Sequence, residues 1–515
     1  MGSDPPPPLV ASGEVSISLE QLRQRAACAA TGLAQSGVGE GDVVAAFLRN
    51  DLPLLELLEA GPIAGAYVAP INWHLRGTEV AAILADCRPK LMVIHADLLA
   101  AVADALPPDL PRLVVPTPEH IAAAYAIDPA ICRPPPGARL WEEWREAHAP
   151  WQGPPRTART SLIYTSGTTG TPKGVARFVR EQAADTMMVD VRRKVFGLRP
   201  GATGAVTGPL YHSAVGAFAS TCLATDTSLF LTPRFDPEGL LDLIDRRRIT
   251  HMHMVPTMFV RLVRLPDAVK QRYDLRSLEC VIHGAAPCPV EVKRQMIDWW
   301  GPIFQEYYGS TEAGLVTLIS SAEALERPGS TGRPVGTCAL RILGNDGHEL
   351  PTGAVGEVFV RNPAGQSFTY FGDPTLKAQI ERDGWITNGD IGCLDEAGYL
   401  FLRDRAKDMI ISGGVNIFPS EIEEVIRCFP NVRECAVFGI PDEEFGEAIA
   451  AAVELDDPEI PLDTEALKAF VADELARYKA PKRIDVHDRL AREDSGKIYK
   501  RKLREPFWQH LDRRI

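Results

Sequence analysis

The residues best suited to chemistry form one run, Thr165-Ser166-Gly167-Thr168-Thr169-Gly170-Thr171-Pro172-Lys173-Gly174. It is dense in hydroxyls and free amides, and it carries a lysine near its end. Backbone N–H groups and hydroxyls gathered beyond a strand end make an anion cradle, and a lysine adds a point charge suited to phosphate. The spacing is not that of a Walker loop, because counting from Gly167 puts Pro172 where the second glycine should stand. A P-loop nucleotide hydrolase is disfavoured. By composition alone, such a cluster is a surface loop. A second candidate, His251 with His253, falls on one face of a β-like run and imitates a metal pair. No carboxylate or third ligand lies near it in sequence, which argues against zinc. The ten cysteines contain no Cys-x-x-Cys pair, and neither Cys280 with Cys288 nor Cys428 with Cys435 has zinc-ligand spacing, so buried, reduced thiols are expected.

The elements around the loop must deliver it. Ser161-Leu162-Ile163-Tyr164 reads as a buried strand leading straight into it. Upstream, Leu19, Leu22 and Ala26 mark a helix face, Val43 to Leu48 a strand, Leu54 to Leu58 a helix, and Tyr67-Val68-Ala69 a short extended run. A helix over Glu79 to Ala85 and a strand Leu91 to His95 follow. This βα alternation predicts a largely parallel sheet covered by helices. The rhythm returns from Thr203 to Leu318, with strands near Val206, Leu229 and Val281 and helices at Pro237 to Asp245 and Pro289 to Trp300. Residues 104–157, proline-rich and without a clean period, read as a surface excursion.

Between Thr331 and Leu402 short strands punctuated by glycine predict a small β subdomain (about 331–403) within an N-terminal domain, 1–403. A compact α/β pattern then resumes, with a helix at Pro419 to Cys428, strands at Glu434 to Phe438 and Ala450 to Leu455, and a helix at Asp463 to Leu475. It is long enough to fold as a C-terminal domain, 404–515. The fold class is therefore α/β.

Bulk composition sets outer bounds. A chain of 515 residues exceeds a single core, which predicts two or more domains. No apolar run reaches the roughly 20 residues of a membrane helix. Met1 to Pro8 lack a secretory pattern, so the expected location is cytoplasmic. With 55 Lys and Arg against 68 Asp and Glu, the formal charge of −13 argues against binding a nucleic-acid backbone.

Tyr164 to Val175 resembles the phosphate loop of the adenylate-forming superfamily, which includes acyl-CoA synthetases, 4-coumarate ligases, firefly luciferase and the adenylation domains of peptide synthetases. Further motifs of that family follow in order across nearly the whole chain. They are His283-Gly284-Ala285-Ala286-Pro287, Tyr308-Gly309-Ser310-Thr311-Glu312, Gly384 to Asp390, Arg403 to Ile411, and Ser495-Gly496-Lys497.

The resemblance implies an ATP-dependent acid:CoA ligase with the acyl-CoA synthetase-like fold and a mobile C-terminal domain. On this reading Thr165 to Gly170 and Lys173 hold the outgoing pyrophosphate, Glu312 holds Mg²⁺, and Thr311 donates to the α-phosphate. Tyr308 faces adenine opposite Gly284-Ala285-Ala286, with Glu306 accepting from the adenine amino group and Tyr307, Gly309 and Ser310 completing the nucleotide stretch. Asp390 grips the ribose hydroxyls beside Arg405. Asn388 stands where the family more often has threonine. Lys407 is the hinge, and Lys497 bridges carboxylate and α-phosphate. The lead-in Leu490 to Asp494 departs from the family's proline-containing text. Gly413 and Gly414 line the passage for the pantetheine arm of coenzyme A, and His212 gates or orients the acyl carboxylate.

For the acid itself, Ala214, Gly216, Ala217 and Ala219 are small, Met254-Val255-Pro256 is apolar, and no lysine or arginine in these stretches offers a second carboxylate a partner. A hydrophobic monocarboxylic acid is implied, either a medium or long fatty acid or a bulky aryl or polycyclic one. His212, Ala214, Phe218, Met254, His283, Gly284 and Gly309 are its expected contacts. Rival readings are a ligase that loads a carrier protein, a luciferase-like oxygenase, and a silent nucleotide-binding relative. The last is opposed by the presence of Lys173, Glu312, Asp390 and Lys497 together. A homodimer is possible but nothing in the sequence indicates one.

Overall fold

The computed structural model describes residues 7–165, 173–177, 182–363, 368–405, 407–413, 415–492 and 498–509. Among them the strands form five sheets. The largest places, in spatial order, Arg333–Pro334, Gly314–Ser320, Phe304–Ser310, Cys280–His283, His251–Met254, Thr203–Val206, Ser228–Leu231, Leu9–Ser12 and Val15–Ser18. From Phe304–Ser310 through Leu9–Ser12 neighbouring strands run parallel, and antiparallel strands close both ends. Its central strands are covered on both faces, which is why they read as unbroken apolar runs.

A second parallel sheet orders Tyr67–Pro70, Val43–Phe47, Leu91–His95 and Arg112–Val115. The expected strands and helices of both βα stretches are present, with ends shifted by a few residues. The helix Leu19–Gln35 starts at a capping box, in which Ser18 accepts from the Gln21 N–H and the Gln21 side chain accepts from Ser18.

Residues 104–157 do not form a surface excursion. Arg112–Val115 is a strand of the second sheet, and the helix Trp141–Glu146 packs on Leu19–Gln35 with Trp141 and Trp144 buried at 1% and 3% exposure. The prolines fall in the turns between these elements, so they mask the periodicity without removing it.

The third sheet departs from expectation. Ile163–Thr165 is half-buried and pairs antiparallel with Lys173–Arg177, so the hydroxyl-rich loop joins the two arms of a hairpin. Phe368–Tyr370 adds a third strand. That strand lies within the expected β subdomain but serves this hairpin, and Arg333–Pro334 serves the large sheet. The remaining strands of the stretch, Ala339–Leu343, Gly356–Arg361, Glu381–Arg382, Trp385–Leu394 and Leu400–Arg405, form one antiparallel sheet.

The expected boundary at 403/404 falls inside Leu400–Arg405. Beyond it the last sheet begins at Ile410–Ser412 and continues with Val415–Ile417, Gly446–Leu455, Val432–Asp442 and Arg483–His487. It encloses its own apolar core of Ile410, Ile422, Ile426, Val437, Val453 and Leu467. No helix among the described residues is long and apolar enough to cross a membrane.

Candidate active site

In a doubly wound sheet, ligands bind beyond the carboxyl ends of the parallel strands. Two such ends matter here. Cys280–His283 runs into Gly284-Ala285-Ala286, where Ala285 adopts φ +67°, a left-handed conformation uncommon for a side-chain-bearing residue and a mark of a constrained turn. Phe304–Ser310 runs into a hairpin whose tip is Thr311-Glu312-Ala313, returning through Gly314 at φ +71°. A Cβ on Gly309 would sit 2.2 Å from the Gly314 carbonyl oxygen, so the neck of this hairpin closes only without a side chain there.

The tip is held from outside. Arg177 Nη2 donates to the Thr311 carbonyl at 2.6 Å, and Asn362 Nδ2 donates to the Ala313 carbonyl at 3.0 Å. The Thr311 hydroxyl meets the Ser213 hydroxyl at 3.1 Å, at the start of the helix Ser213–Ala224. The Glu312 carboxylate accepts from the Tyr370 hydroxyl at 3.1 Å, and the Lys173 ammonium lies 5.5 Å from the centre of the Tyr370 ring. Tyr370 therefore links the cation of the hydroxyl-rich hairpin to the acid of the second hairpin. Burial and Glu312 together raise the phenol pKa, so Tyr370 stays a neutral donor.

A third cluster forms around Asp390. It pairs in register with Arg405, whose Nε approaches Asp390 Oδ1 at 3.3 Å, and its Oδ2 accepts from the Tyr308 hydroxyl at 2.6 Å. A carboxylate offers about four lone-pair directions, so two remain for a vicinal diol. Burial and the neighbouring carboxylate push the Tyr308 pKa well up.

Glu312 is the single carboxylate at this tip, and no group of three or more His, Cys, Asp and Glu able to hold a metal occurs among the described residues. That donor set fits Mg²⁺, which keeps waters and takes one or two carboxylates plus substrate phosphate oxygens. The His251 and His253 rings are occupied otherwise. His251 bonds Thr250 and the Gly197 carbonyl, and His253 bonds Tyr307.

Several expected contacts are redirected. Glu306 turns into an ion pair with Lys293 on the helix Val290–Trp300, both side chains almost fully buried, which leaves it unsuited to an adenine amino group. Strand alternation explains two more, because side chains two apart share a face. Val281 and His283, like Met252 and Met254, face the side where Phe259 and Phe304 pack, and His283 lies 4.9 Å ring to ring from Phe259. His283 and Met254 are therefore core residues of that side. Phe218 is 1% exposed and packs edge-on against Phe196, so it too is core.

His212 occupies the N-cap position of Ser213–Ala224, with Ala214, Gly216 and Ala217 half-exposed along that helix, while Ala219 is buried. Gly413 has φ +57° and its N–H donates to the Phe445 carbonyl at 2.8 Å. The Lys407 carbonyl accepts from Arg504 Nη1 at 3.0 Å. Ser166, Gly167, Thr168, Thr169, Gly170, Gly414 and Lys497 lie outside the described residues.

Sequence reasoning missed Arg177, Ser213, Asn362 and Tyr370. Arg177 was within reach, since alternation puts it on the face of Lys173 and Val175. The other three come from distant segments, and only the pairing reveals them.

Comparison with known proteins supplies the lineage. The AMP-binding enzyme family matches residues 5–370, and the AMP-binding enzyme C-terminal domain matches residues 421–497. A feruloyl-CoA synthase of an Amycolatopsis species is 33% identical, covering 97% of this chain and 95% of that protein. An indoleacetate–CoA ligase of Aromatoleum aromaticum is 32% identical, covering 98% and 96%. The solved structure of the amide bond synthetase McbA from Marinactinospora thermotolerans superposes with a TM-score of 0.83 at 29% identity, covering 97% of each chain. With most of its length matched, this chain belongs to the AMP-binding enzyme family.

Proposed function

We propose that the protein is an ATP-dependent acid–CoA ligase acting on a hydrophobic monocarboxylic acid, either aryl or fatty. The observation that carries this reading is the convergence of Lys173 with Tyr370 and Glu312, of Arg177 with Thr311 and Ser213, and of Tyr308 with Asp390 and Arg405. These supply, in turn, a cation and an acid for a triphosphate, a hydroxyl for the phosphate under attack, and a carboxylate for a ribose. In the first half-reaction an oxygen of the acid attacks the α-phosphorus, and the bond to the bridging oxygen of pyrophosphate breaks. In the second, the CoA sulfur attacks the acyl carbon and AMP leaves.

Little covalent work falls to side chains, so positioning and charge dominate. Mg²⁺, held by Glu312 and phosphate oxygens, would neutralise charge on the triphosphate. Lys497 is assigned the growing charge between carboxylate and α-phosphate, and Gly413 with Gly414 the pantetheine path, the unit beyond Lys407 turning between the two steps. The half-exposed small residues of Ser213–Ala224 support an apolar acyl site, and two relatives named for aryl acids support that class.

The test is acid-dependent pyrophosphate release followed by thioester formation, in wild type and Lys497→Ala. The variant should lose about 10²–10³ in rate from ATP yet still convert supplied acyl-AMP and CoA. Equal loss in both halves removes the lysine from the first step. Preference for acetate or a dicarboxylate removes the hydrophobic acid, and acyl transfer only to a carrier protein removes CoA.

A further inference from the structure

The sheet face that looks toward Ser213–Ala224 carries an unusual polar pair. His253, on His251–Met254, and Tyr307, on Phe304–Ser310, lie on either side of the strand Cys280–His283, and they meet across it. His253 Nε2 and the Tyr307 hydroxyl are 3.0 Å apart, with ring centres separated by 5.8 Å. One feature permits the crossing: Ile282, in register with His253, carries a side chain on this face, but two positions on, Gly284 has none. A Cβ on Gly284 would come within 2.7 Å of the Tyr307 ring and 2.6 Å of its carbonyl oxygen.

Tyr307 packs against the cluster that contains Val215 and Ala219 of the helix, and His253 lies within electrostatic reach of His212 at that helix's N-cap. The pair thus lies between the turn Gly284-Ala285-Ala286 and the helix assigned to the acyl group. Its hydrogen-bonding capacity is not filled. His253 is 2% exposed, yet its Nδ1 has no partner among the described residues. Tyr307 has one hydroxyl proton and two lone pairs, of which the contact with His253 uses one. Such a pair inside an otherwise apolar wall is costly to desolvate unless a further group completes it.

We infer that Tyr307, held by His253, is a specificity-determining residue that selects acids bearing a hydroxyl or carbonyl on the acyl moiety over hydrocarbon acids of the same frame. This rests on the proposed acid-activating function. A site that hydrogen-bonds a substrate hydroxyl discriminates strongly against the analogue lacking it, because its own buried polar group is then left unpaired. A wall of hydrocarbon alone would favour the hydrocarbon acid.

The test is acid-dependent ATP–pyrophosphate exchange with matched pairs: 3-phenylpropanoate against 3-(4-hydroxyphenyl)propanoate, and hexanoate against 5-oxohexanoate. In wild type, kcat/KM for the better polar member should exceed its hydrocarbon partner by about 10- to 100-fold. In Tyr307→Phe the ratio should fall to near unity, chiefly through loss of the polar acid. A merely structural tyrosine would scale both members alike and leave the ratio in place, which overturns the inference. Should the variant fail to fold, the wild-type ratios decide, and a hydrocarbon preference in both pairs overturns it as well. Exchange supported by all the acids without preference sinks this inference alone, whereas no exchange with any acid sinks the proposed function beneath it.

Discussion

Glu56 and Asp390 are two carboxylates with almost the same partners and opposite surroundings. Glu56 accepts from Trp141 Nε1 at 2.8 Å, Arg145 Nη1 at 2.8 Å and Arg25 Nη1 at 3.2 Å, and it is wholly buried. Asp390 accepts from Tyr308 at 2.6 Å and faces Arg405, whose side chain is 42% exposed. Both use one aromatic donor and at least one guanidinium. Where water is excluded, the set staples three helices together. Where one edge stays open, the same chemistry is left with lone pairs able to take the proposed ribose. Donor identity alone does not separate structure from function. The solvent on the remaining lone pairs does.

The contrast can be broken by substitution. Glu56→Ala leaves the 3%-exposed Arg145 without its buried partner, and the expected loss is about 3–5 kcal/mol of stability, read as a lower denaturant midpoint. A change within about 0.5 kcal/mol would erase the distinction between the two corners.

A buried ring tests dryness by titration. Burial, with His212 adding to it, lowers the His253 pKa to about 4 from 6.5. The unfolded state then binds the extra proton first as pH falls. This stabilising term is fully present above pH 6.5 and is lost as pH drops toward 4. Its size is about 3 kcal/mol, and His253→Gln should flatten that part of the stability–pH curve.

The open corner should answer in kinetics. Asp390→Asn removes the charge but keeps the shape, and KM for ATP should rise about 10- to 100-fold, equivalent to one charged hydrogen bond of about 1.5–3 kcal/mol. Thermal denaturation should barely move. A large fall in Tm would make Asp390 a second Glu56. Smallest of all, Tyr308→Phe loses one neutral donor to a carboxylate that keeps Arg405, so a few-fold rise in the same KM is expected, about 1 kcal/mol.

Much of this was legible in the chain. Leu91 to His95 reads as a strand and is one, because four apolar residues in a row followed by a buried histidine suit a strand covered on both faces. The hydroxyl-rich run reads as an anion cradle only when the strand before it and Lys173 at its end are counted with it, and residues 166–172 lie outside the described structure. What stayed hidden was set by long-range pairing. Glu306 sits beside a family motif, and nothing local reveals that it faces Lys293. His283 sits in another motif, and only the direction of its strand shows that it points into the core. The prolines of 104–157 hid a strand and a helix whose tryptophans complete the core, since turn residues say where elements end and nothing about what lies between them. Tyr370 is far from both Lys173 and Glu312 in sequence, and no periodicity predicts their meeting.

The pinched neck at Gly309 and Gly314 has a mechanical consequence. With the base of that hairpin closed to side chains, its tip has little freedom to bend at the root and moves with whatever grips it. One grip is Arg177, four residues along the strand that starts at Lys173. The two hairpins are therefore tied to each other at two points, by Arg177 on Thr311 and by Tyr370 between Lys173 and Glu312. A pull that shifts Lys173 should reach the Thr311 backbone through Arg177, and with it the Thr311 hydroxyl and the Glu312 carboxylate at the same tip.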